Sequence, residues 1–173
     1  MNGLFGKKKV NYEQIINTYG TDLKQLAYSY VKDRQLAEDI TQETFIKCLT
    51  KRDTFKGNSS LKTWLFAIAI NLSKDYLKNG YHQRVTVDNN VTEKQSFNSP
   101  SAESEALTNY ENQNVTEYIL DLPIEYREII VLYYFKEFKV REIAETLELS
   151  GNTVKTRMRR ARELLKERMV RHE

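Results

Sequence analysis

The chain has 173 residues, 40% hydrophobic and 29% charged, with a formal net charge of +3, which allows one domain or two small ones. Two prolines and six glycines suit an all-helical protein better than a turn-rich β-sandwich. Cys48 is the only cysteine, so an internal disulfide is excluded, a secreted scaffold is disfavoured, and a reducing cytoplasm is the expected compartment.

Residues 1–10, MNGLFGKKKV, read as a solvated tail. Their lysines are not followed by the apolar stretch of a signal peptide, and no apolar run anywhere approaches the roughly 18 residues of a membrane span. Residues 11–78 form a first helical domain. Tyr19, Leu23, Leu26, Ala27, Tyr30 and Val31 recur at helical spacing, and Gly20 marks a bend or break. Asp33 is placed to cap a second helix from about Gln35 to Thr50. Lys51 to Ser59 reads as a loop. Ser60 then caps a helix with Leu61, Trp64, Leu65, Ile68 and Leu72 on one face. Residues 79–112, with an Asn-Gly pair, Ser-Pro-Ser and few apolar groups, read as a flexible polar linker. Helical periodicity resumes over 113–173, interrupted at Leu122-Pro123 and Glu137–Lys139. The expected fold is all-α: two small helical domains joined by a linker, the second a helix-turn-helix domain.

Charge is unevenly spread. Residues 1–78 carry 13 Lys+Arg against 8 Asp+Glu, and residues 151–173 carry 8 against 3. The stretches between are acidic, with 2 against 5 over 79–112 and 4 against 8 over 113–150. Positive charge gathered into a first module and a last helix is the footprint of a polyanion partner.

The last helix gives that partner a form. Val140, Ile143, Ala144 and Leu147 make an apolar stripe, followed by SGNTVKTRMRRAR over Ser150–Arg162: a short helix, a tight turn and a basic helix. On a helical wheel Val154, Met158, Ala161 and Leu165 face inward. Asn152, Lys155, Thr156, Arg159 and Arg160 face outward, where a recognition helix reaches base edges and phosphates. Ser150 is placed as the N-cap, next to a helix terminus that favours a phosphate. Arg157, Arg162 and Lys166 are read as phosphate contacts or partners of nearby glutamates.

In the first domain, Glu38, Asp39, Gln42, Phe45 and Ile46 share one flank of the second helix, opposite Leu36, Ala37 and Ile40. Acids and an amide around large apolar groups suit docking onto a basic protein helix, although a core-facing Phe45 beside a solvated acidic edge fits the spacing equally well. On the third helix, Asn71, Lys74 and Lys78 line up away from the Trp64-Leu65-Ile68 stripe. The small polar loop before it, Phe55–Ser59, has room for an unstacked base. Trp64 reads as core rather than as a stacking platform.

Taken together, AEDITQETFIK, FKGNSSLKTWLFAIAIN and DYL in the first domain, with LPIEYRE, REIAETL and SGNTVKTRMRRAR in the second, resemble the bacterial sigma factors of the extracytoplasmic-function (ECF) group. The resemblance implies a cytoplasmic protein, not an enzyme and without cofactor, that binds core RNA polymerase and directs it to promoters. It implies that Glu38, Asp39, Gln42, Glu43 and Phe45 dock on the clamp helices of the polymerase β′ subunit, and that the second domain meets the β flap. It assigns Lys56, Asn58, Ser59, Asn71, Lys74 and Lys78 to the melted −10 strand, and Asn152, Thr153, Lys155, Thr156, Arg159 and Arg160 to the −35 duplex. An anti-sigma protein is a further implied partner. Arg159 departs from the group, many of whose members carry an apolar or aromatic residue there.

A stand-alone helix-turn-helix regulator is the rival reading, and it would occupy its operator without polymerase. An enzyme acting on nucleic acid is disfavoured. Cys48, His82 and His172 lie far apart, so no metal cluster is expected, and the chain has no Gly-rich phosphate loop or Ser/His/Asp set.

Overall fold

The computed structural model describes residues 11–55, 57–86 and 109–171. Helix α1, Tyr12–Val31, opens at Asn11, whose side chain accepts the Gln14 N–H at 3.3 Å, and closes on Lys32 in the left-handed conformation. The bend expected at Gly20 is absent. A mid-helix glycine costs about 1 kcal/mol relative to alanine, a small penalty beside the burial of Ile15, Leu23, Leu26, Ala27 and Tyr30 along the same helix. Helix α2, Arg34–Thr50, is capped by Asp33, which accepts the Leu36 N–H at 2.8 Å. Two threonines sit in its buried face without a penalty, because Thr41 and Thr44 donate to the carbonyls of Ala37 and Ile40, both at 2.7 Å.

A 3₁₀ turn, Arg52–Thr54, leads into a loop with Gly57 at φ +71°, and Ser60 accepts the Thr63 N–H at 3.0 Å to start α3, Leu61–Thr86. Leu65 and Leu72 of the anticipated stripe are buried, but so are Phe66, Ala69 and Ile70. The helix has two partners, α1 and α2 on one side and α6, Val140–Leu147, on the other, so one apolar stripe does not suffice. Trp64 is half-buried and tilts against the buried Phe55, ring centroids 5.1 Å apart.

The expected linker 79–112 is corrected at both ends. Helix α3 continues through Asn79-Gly80 to Thr86, and α4, Asn109–Leu120, begins before residue 113. An Asn-Gly pair is a turn signal only where the chain must reverse. Adding a turn to an existing helix is far easier than nucleating one, so α3 runs on through the pair. Residues 87–108 lie outside the described ones.

After α4 come α5, Ile124–Ile130, a π-helical turn, Val131–Phe135, then α6 and α7, Gly151–Arg171. The interruptions foreseen at Leu122-Pro123 and Glu137–Lys139 fall between elements. The π turn was not foreseen. Its signature is the Lys136 N–H reaching the Val131 carbonyl at 3.1 Å, five residues back. It leaves Tyr133, Tyr134 and Phe135 exposed in sequence.

The two helical units pack against each other. One apolar cluster joins Leu23, Leu26, Leu65 and Phe66 of the first to Ile129, Leu132, Phe138 and Ile143 of the second. Phe66 and Phe138 meet ring to ring at 5.0 Å. Three buried ionic side chains of the second unit, Arg127, Glu128 and Lys136, find partners in the first. Tyr30 donates to Glu128 at 2.7 Å, Arg127 donates to the Ser29 carbonyl, and Lys136 meets Asp22 at 2.6 Å and also bonds Gln25.

Burial first, then the charge of Glu128 and the hydrogen bond to it, push the Tyr30 phenol well above its ordinary value. The folded chain therefore holds this proton more tightly than the unfolded one. That contribution to stability is complete below pH about 10, the unfolded tyrosine value, and is lost as pH rises from there toward the folded value. Chemical denaturation from pH 8 to 11 should show stability falling faster in the native chain than in Tyr30→Phe, which at neutral pH should be weaker by about 1.5–3 kcal/mol. Parallel curves would contradict the assignment.

Candidate nucleic-acid interface

Helix α7 is set by the turn before it. Helix α6 ends with Glu148 at φ 55°, the Leu149 N–H returns to the Ala144 carbonyl at 2.9 Å, and Ser150 accepts the Thr153 N–H at 3.0 Å. A non-glycine residue in the left-handed region costs about 1–2 kcal/mol, so this turn is held by the packing on both sides. Val154, Met158 and Ala161 are buried as anticipated, with Leu165 half-buried.

The opposite stripe, Asn152, Lys155, Thr156, Arg159 and Arg160, is exposed throughout. Among the described residues Lys155 and Arg159 have no ion-pair partner, while Arg160 lies 3.1 Å from Glu163 and 3.8 Å from Glu167. Thr153 is placed differently from the rest. Its hydroxyl sits 2.8 Å from Ser150 Oγ, within the cap rather than on the outer stripe. Arg157 meets a glutamate as foreseen, Glu128 at 3.8 Å. Arg162 does not: it donates to the Tyr134 hydroxyl at 2.8 Å and lies over that ring.

On α3, Asn71, Lys74 and Lys78 share an exposed face. Lys74 is engaged by Glu128 at 2.9 Å. In the loop, Asn58 is exposed and Ser59 half-buried, and Lys56 lies outside the described residues. Ten residues of helix separate Leu61, just after that loop, from Asn71, about 15 Å at 1.5 Å per residue.

On α2, Glu38, Asp39 and Gln42 are exposed and Glu43 partly so. Glu38 pairs with Lys24 at 3.0 Å, while Glu43 lies 3.5 Å from Lys47 and 3.4 Å from the Tyr76 hydroxyl. Phe45 is half-buried and packs on the core, while Ile46 and Leu49 are the exposed large apolar groups. Asp39, Gln42, Ile46 and Leu49 recur at i, i+3, i+7 and i+10, which makes one mixed stripe. Leu49 was missed because a leucine at a helix end reads as core.

A second apolar surface was also missed. Val115, Tyr134, Phe135, Leu165, Met169 and Val170 line a groove of about 570 Å³ between α4, the π turn and α7. The aromatic run Tyr133–Phe135 was its only signal, and it is compatible with a buried strand or helix until the π turn is seen. Among the described residues no three His, Cys, Asp or Glu side chains cluster as a metal site, and no helix is long and apolar enough to cross a membrane. Burial pushes the Cys48 thiol up, away from a nucleophile's range.

Two helical units, one with a recognition-type helix and the other with a polar cationic helix face and an exposed stripe that mixes polar and apolar groups, have the form of a bipartite DNA-binding protein. Residues 15–82 match the family described as sigma-70 region 2, and residues 112–165 that described as sigma-70, region 4. RNA polymerase sigma factor SigV of Bacillus subtilis is 34% identical over 164 residues, covering 92% of this chain and 94% of that one. ECF RNA polymerase sigma factor SigW of the same organism is 33% identical over 165 residues, covering 91% and 88%. Among solved structures, the sigma factor RpoE in complex with the anti-sigma factor NepR from Bartonella quintana superposes with a TM-score of 0.75 at 26% identity, covering 91% of this chain and 95% of that one. CnrH in complex with the cytosolic domain of CnrY shares the fold, with a TM-score of 0.70 at 23% identity, covering 96% and 92%. The chain belongs to the ECF RNA polymerase sigma factors, which are initiation factors and not enzymes.

Ser150→Ala removes the acceptor for the Thr153 N–H and should cost about 1 kcal/mol in urea unfolding. Thr153→Ala keeps that bond and should cost clearly less. Equal losses would mean that the cap does not hold the turn.

Proposed function

We propose that this chain works in the cytoplasm, binds core RNA polymerase through its first unit and directs it to promoters read by two separate surfaces. The observation that carries this reading is the pairing, in one chain, of an exposed cationic stripe on α7 with an exposed amide-and-lysine face on α3. The α7 stripe suits duplex. Asn152, Lys155, Thr156, Arg159 and Arg160 project from the first turns of a capped recognition helix, the part that enters a major groove. Thr153 supports them from within the cap. The α3 face, with Asn71, Lys74, Lys78 and the loop residues Lys56, Asn58 and Ser59, suits a melted −10 strand. A base there must leave the stack at a cost of a few kcal/mol, which polymerase binding helps to offset.

The α2 stripe supplies that polymerase contact. Glu38, Asp39, Gln42 and Glu43 form a polar, mostly acidic rim around Ile46 and Leu49, with Phe45 packed beneath, and the β′ clamp helices are its partner. The groove between α4 and α7, apolar with Arg162 and Lys166 on its lining, takes the β flap. An anti-sigma protein, as in the complex of RpoE with NepR, is the inhibitor to look for.

Run-off transcription with purified core polymerase, followed by promoter mapping, tests the whole reading; a chain that occupies its site without polymerase would be the stand-alone regulator instead. Gln42→Ala, exposed and free of internal contacts that matter to folding, should weaken binding to core polymerase about tenfold and leave retention of −35 duplex unchanged. Equal loss of both would remove Gln42 from the docking surface. Arg160→Ala should lose about 1–3 kcal/mol of −35 discrimination, read as promoter preference in competition transcription. Unchanged preference would place Arg160 with its glutamates rather than with DNA.

A further inference from the structure

The junction between the two units is made of groups that a promoter needs. Glu128 of α5 is buried, at 3% exposure, and its carboxylate gathers Tyr30 of α1 at 2.7 Å, Lys74 of α3 at 2.9 Å and Arg157 of α7 at 3.8 Å. It stands at an open cleft of about 410 Å³ lined also by Pro123, Ile124 and Glu125. A carboxylate that holds a lysine and an arginine occupies the donors those side chains would turn toward a phosphate. One of the two cations comes from each DNA-facing helix.

A second fastening lies farther along the junction. Lys136, at 4% exposure, reaches into the first unit to Asp22 and Gln25, and Lys62 donates to the Lys136 carbonyl at 2.6 Å.

Distance makes this arrangement incompatible with promoter occupancy. The −35 and −10 elements lie about 25 base pairs apart, or about 85 Å along B-DNA at 3.4 Å per pair. In the closed chain, Lys74 and Arg157 both lie within 4 Å of one carboxylate group. The units must therefore separate, and the chain is long enough to allow it: residues 87–108 reach up to about 75 Å if drawn out, and the α3 helix from Lys74 to Thr86 adds about 18 Å. The energetics suit a switch. Parting the units restores hydration to Lys74 and Glu128, which offsets part of the Coulomb energy lost, so the ionic contact holds the units together and still opens at moderate cost.

We propose that Glu128 is an internal competitor for promoter phosphate: in the free chain it ties Lys74 and Arg157 together and holds the two units closed until polymerase separates them. This rests on the promoter-directing reading above. The RpoE structure in complex with NepR superposes on nine-tenths of this chain, an extent that includes both units. The closed arrangement is thus close to one that an anti-sigma complex contains, and the free chain reaches it by its own contacts.

Small-angle scattering of the full chain, with Glu128→Gln and Asp22→Lys, tests the latch. Glu128→Gln keeps the volume and an acceptor for Tyr30 while removing the charge that holds both cations. Asp22→Lys sets a like charge against Lys136 from an exposed position, and so guards against a folding defect in the first variant; far-ultraviolet circular dichroism checks both. The native chain should show a radius of gyration of about 16 Å, as for a compact chain of this length. Both variants should be larger by a fifth or more at unchanged helicity, and should associate with purified core polymerase at least threefold faster. An extended native chain, or variants as compact as the native one, would overturn the latch. Open variants that associate no faster would overturn its inhibitory role. If core polymerase binds none of the three, the promoter-directing reading falls and the inhibitory role with it, while the scattering still decides closure.

Discussion

Arg127 and Glu128 are consecutive on a short helix and both are buried, and that pairing governs how the chain is put together. Neither charge can be left alone in a low-dielectric junction without a cost of several kcal/mol. Arg127 is satisfied within its own unit by the Leu122 carbonyl, at 2.8 and 3.2 Å, and across the junction by the Ser29 carbonyl. Its pKa is lowered by burial, with Asp121 and Tyr30 acting the other way. Glu128 is satisfied mostly from outside, by Tyr30 and Lys74. The second unit therefore carries charges whose partners belong to the first, and none of the buried side-chain polar atoms among the described residues lacks a hydrogen-bond partner. Apolar contact alone would hold the units together in many orientations. These charges select one.

The recognition helix illustrates the opposite strategy, in which charge is kept out of pairing. Its inner face is fixed by Val154, Met158 and Ala161 and its start by Ser150, so the outer stripe needs no support from its own side chains. Lys155 and Arg159 stand in solvent, while Arg160 is shared with two half-exposed glutamates. Exposed pairs of that kind contribute little, roughly 0–1 kcal/mol, and a DNA phosphate or base edge displaces them at small cost. Arg157 differs because its glutamate is buried and belongs to the same unit, so that pair survives separation of the two units.

Much of this was legible in the chain because local chemistry and tertiary need agreed. Asp33, Ser60 and Ser150 cap the helices assigned to them, the inward face of α7 holds, and the breaks at Leu122-Pro123 and Glu137–Lys139 fall where a proline or a polar interruption demands them. Where the reading missed, long-range packing had the deciding vote. Gly20 and Asn79-Gly80 are breakers by propensity, yet helices continue through both. Phe66 lies off the main α3 stripe and packs against Phe138 of the second unit. The ionic junction left no trace in periodicity: Glu128 follows Arg127 in a stretch that reads as ordinary charged helix, and only proximity to Tyr30, 98 residues away in sequence, gives it meaning. The residue types of the exposed α7 and α3 faces were visible, but that Lys74 is occupied was not.

The closed arrangement treats the two kinds of functional surface unequally. It leaves Asp39, Gln42, Ile46 and Leu49 of α2 open to solvent, and Tyr134, Phe135 and Met169 around the apolar groove as well. It takes Lys74 and Arg157 into the junction. On the proposed assignments, a chain built this way presents its polymerase-docking groups before two of its cations for phosphate, Lys74 and Arg157, which sets an order on assembly. On the proposed reading, polymerase first meets the exposed stripe, and full association waits on the opening of the junction, which the energy of that first contact helps to drive. On the same reading, DNA can meet the outer stripe of α7, with contacts screened by salt, and Asn71 and Lys78 of α3 in the closed chain, and gains Lys74 after separation. The proposed ordering also disfavours a free chain settling on arbitrary DNA through both surfaces at once, because Glu128 holds Lys74 at 2.9 Å.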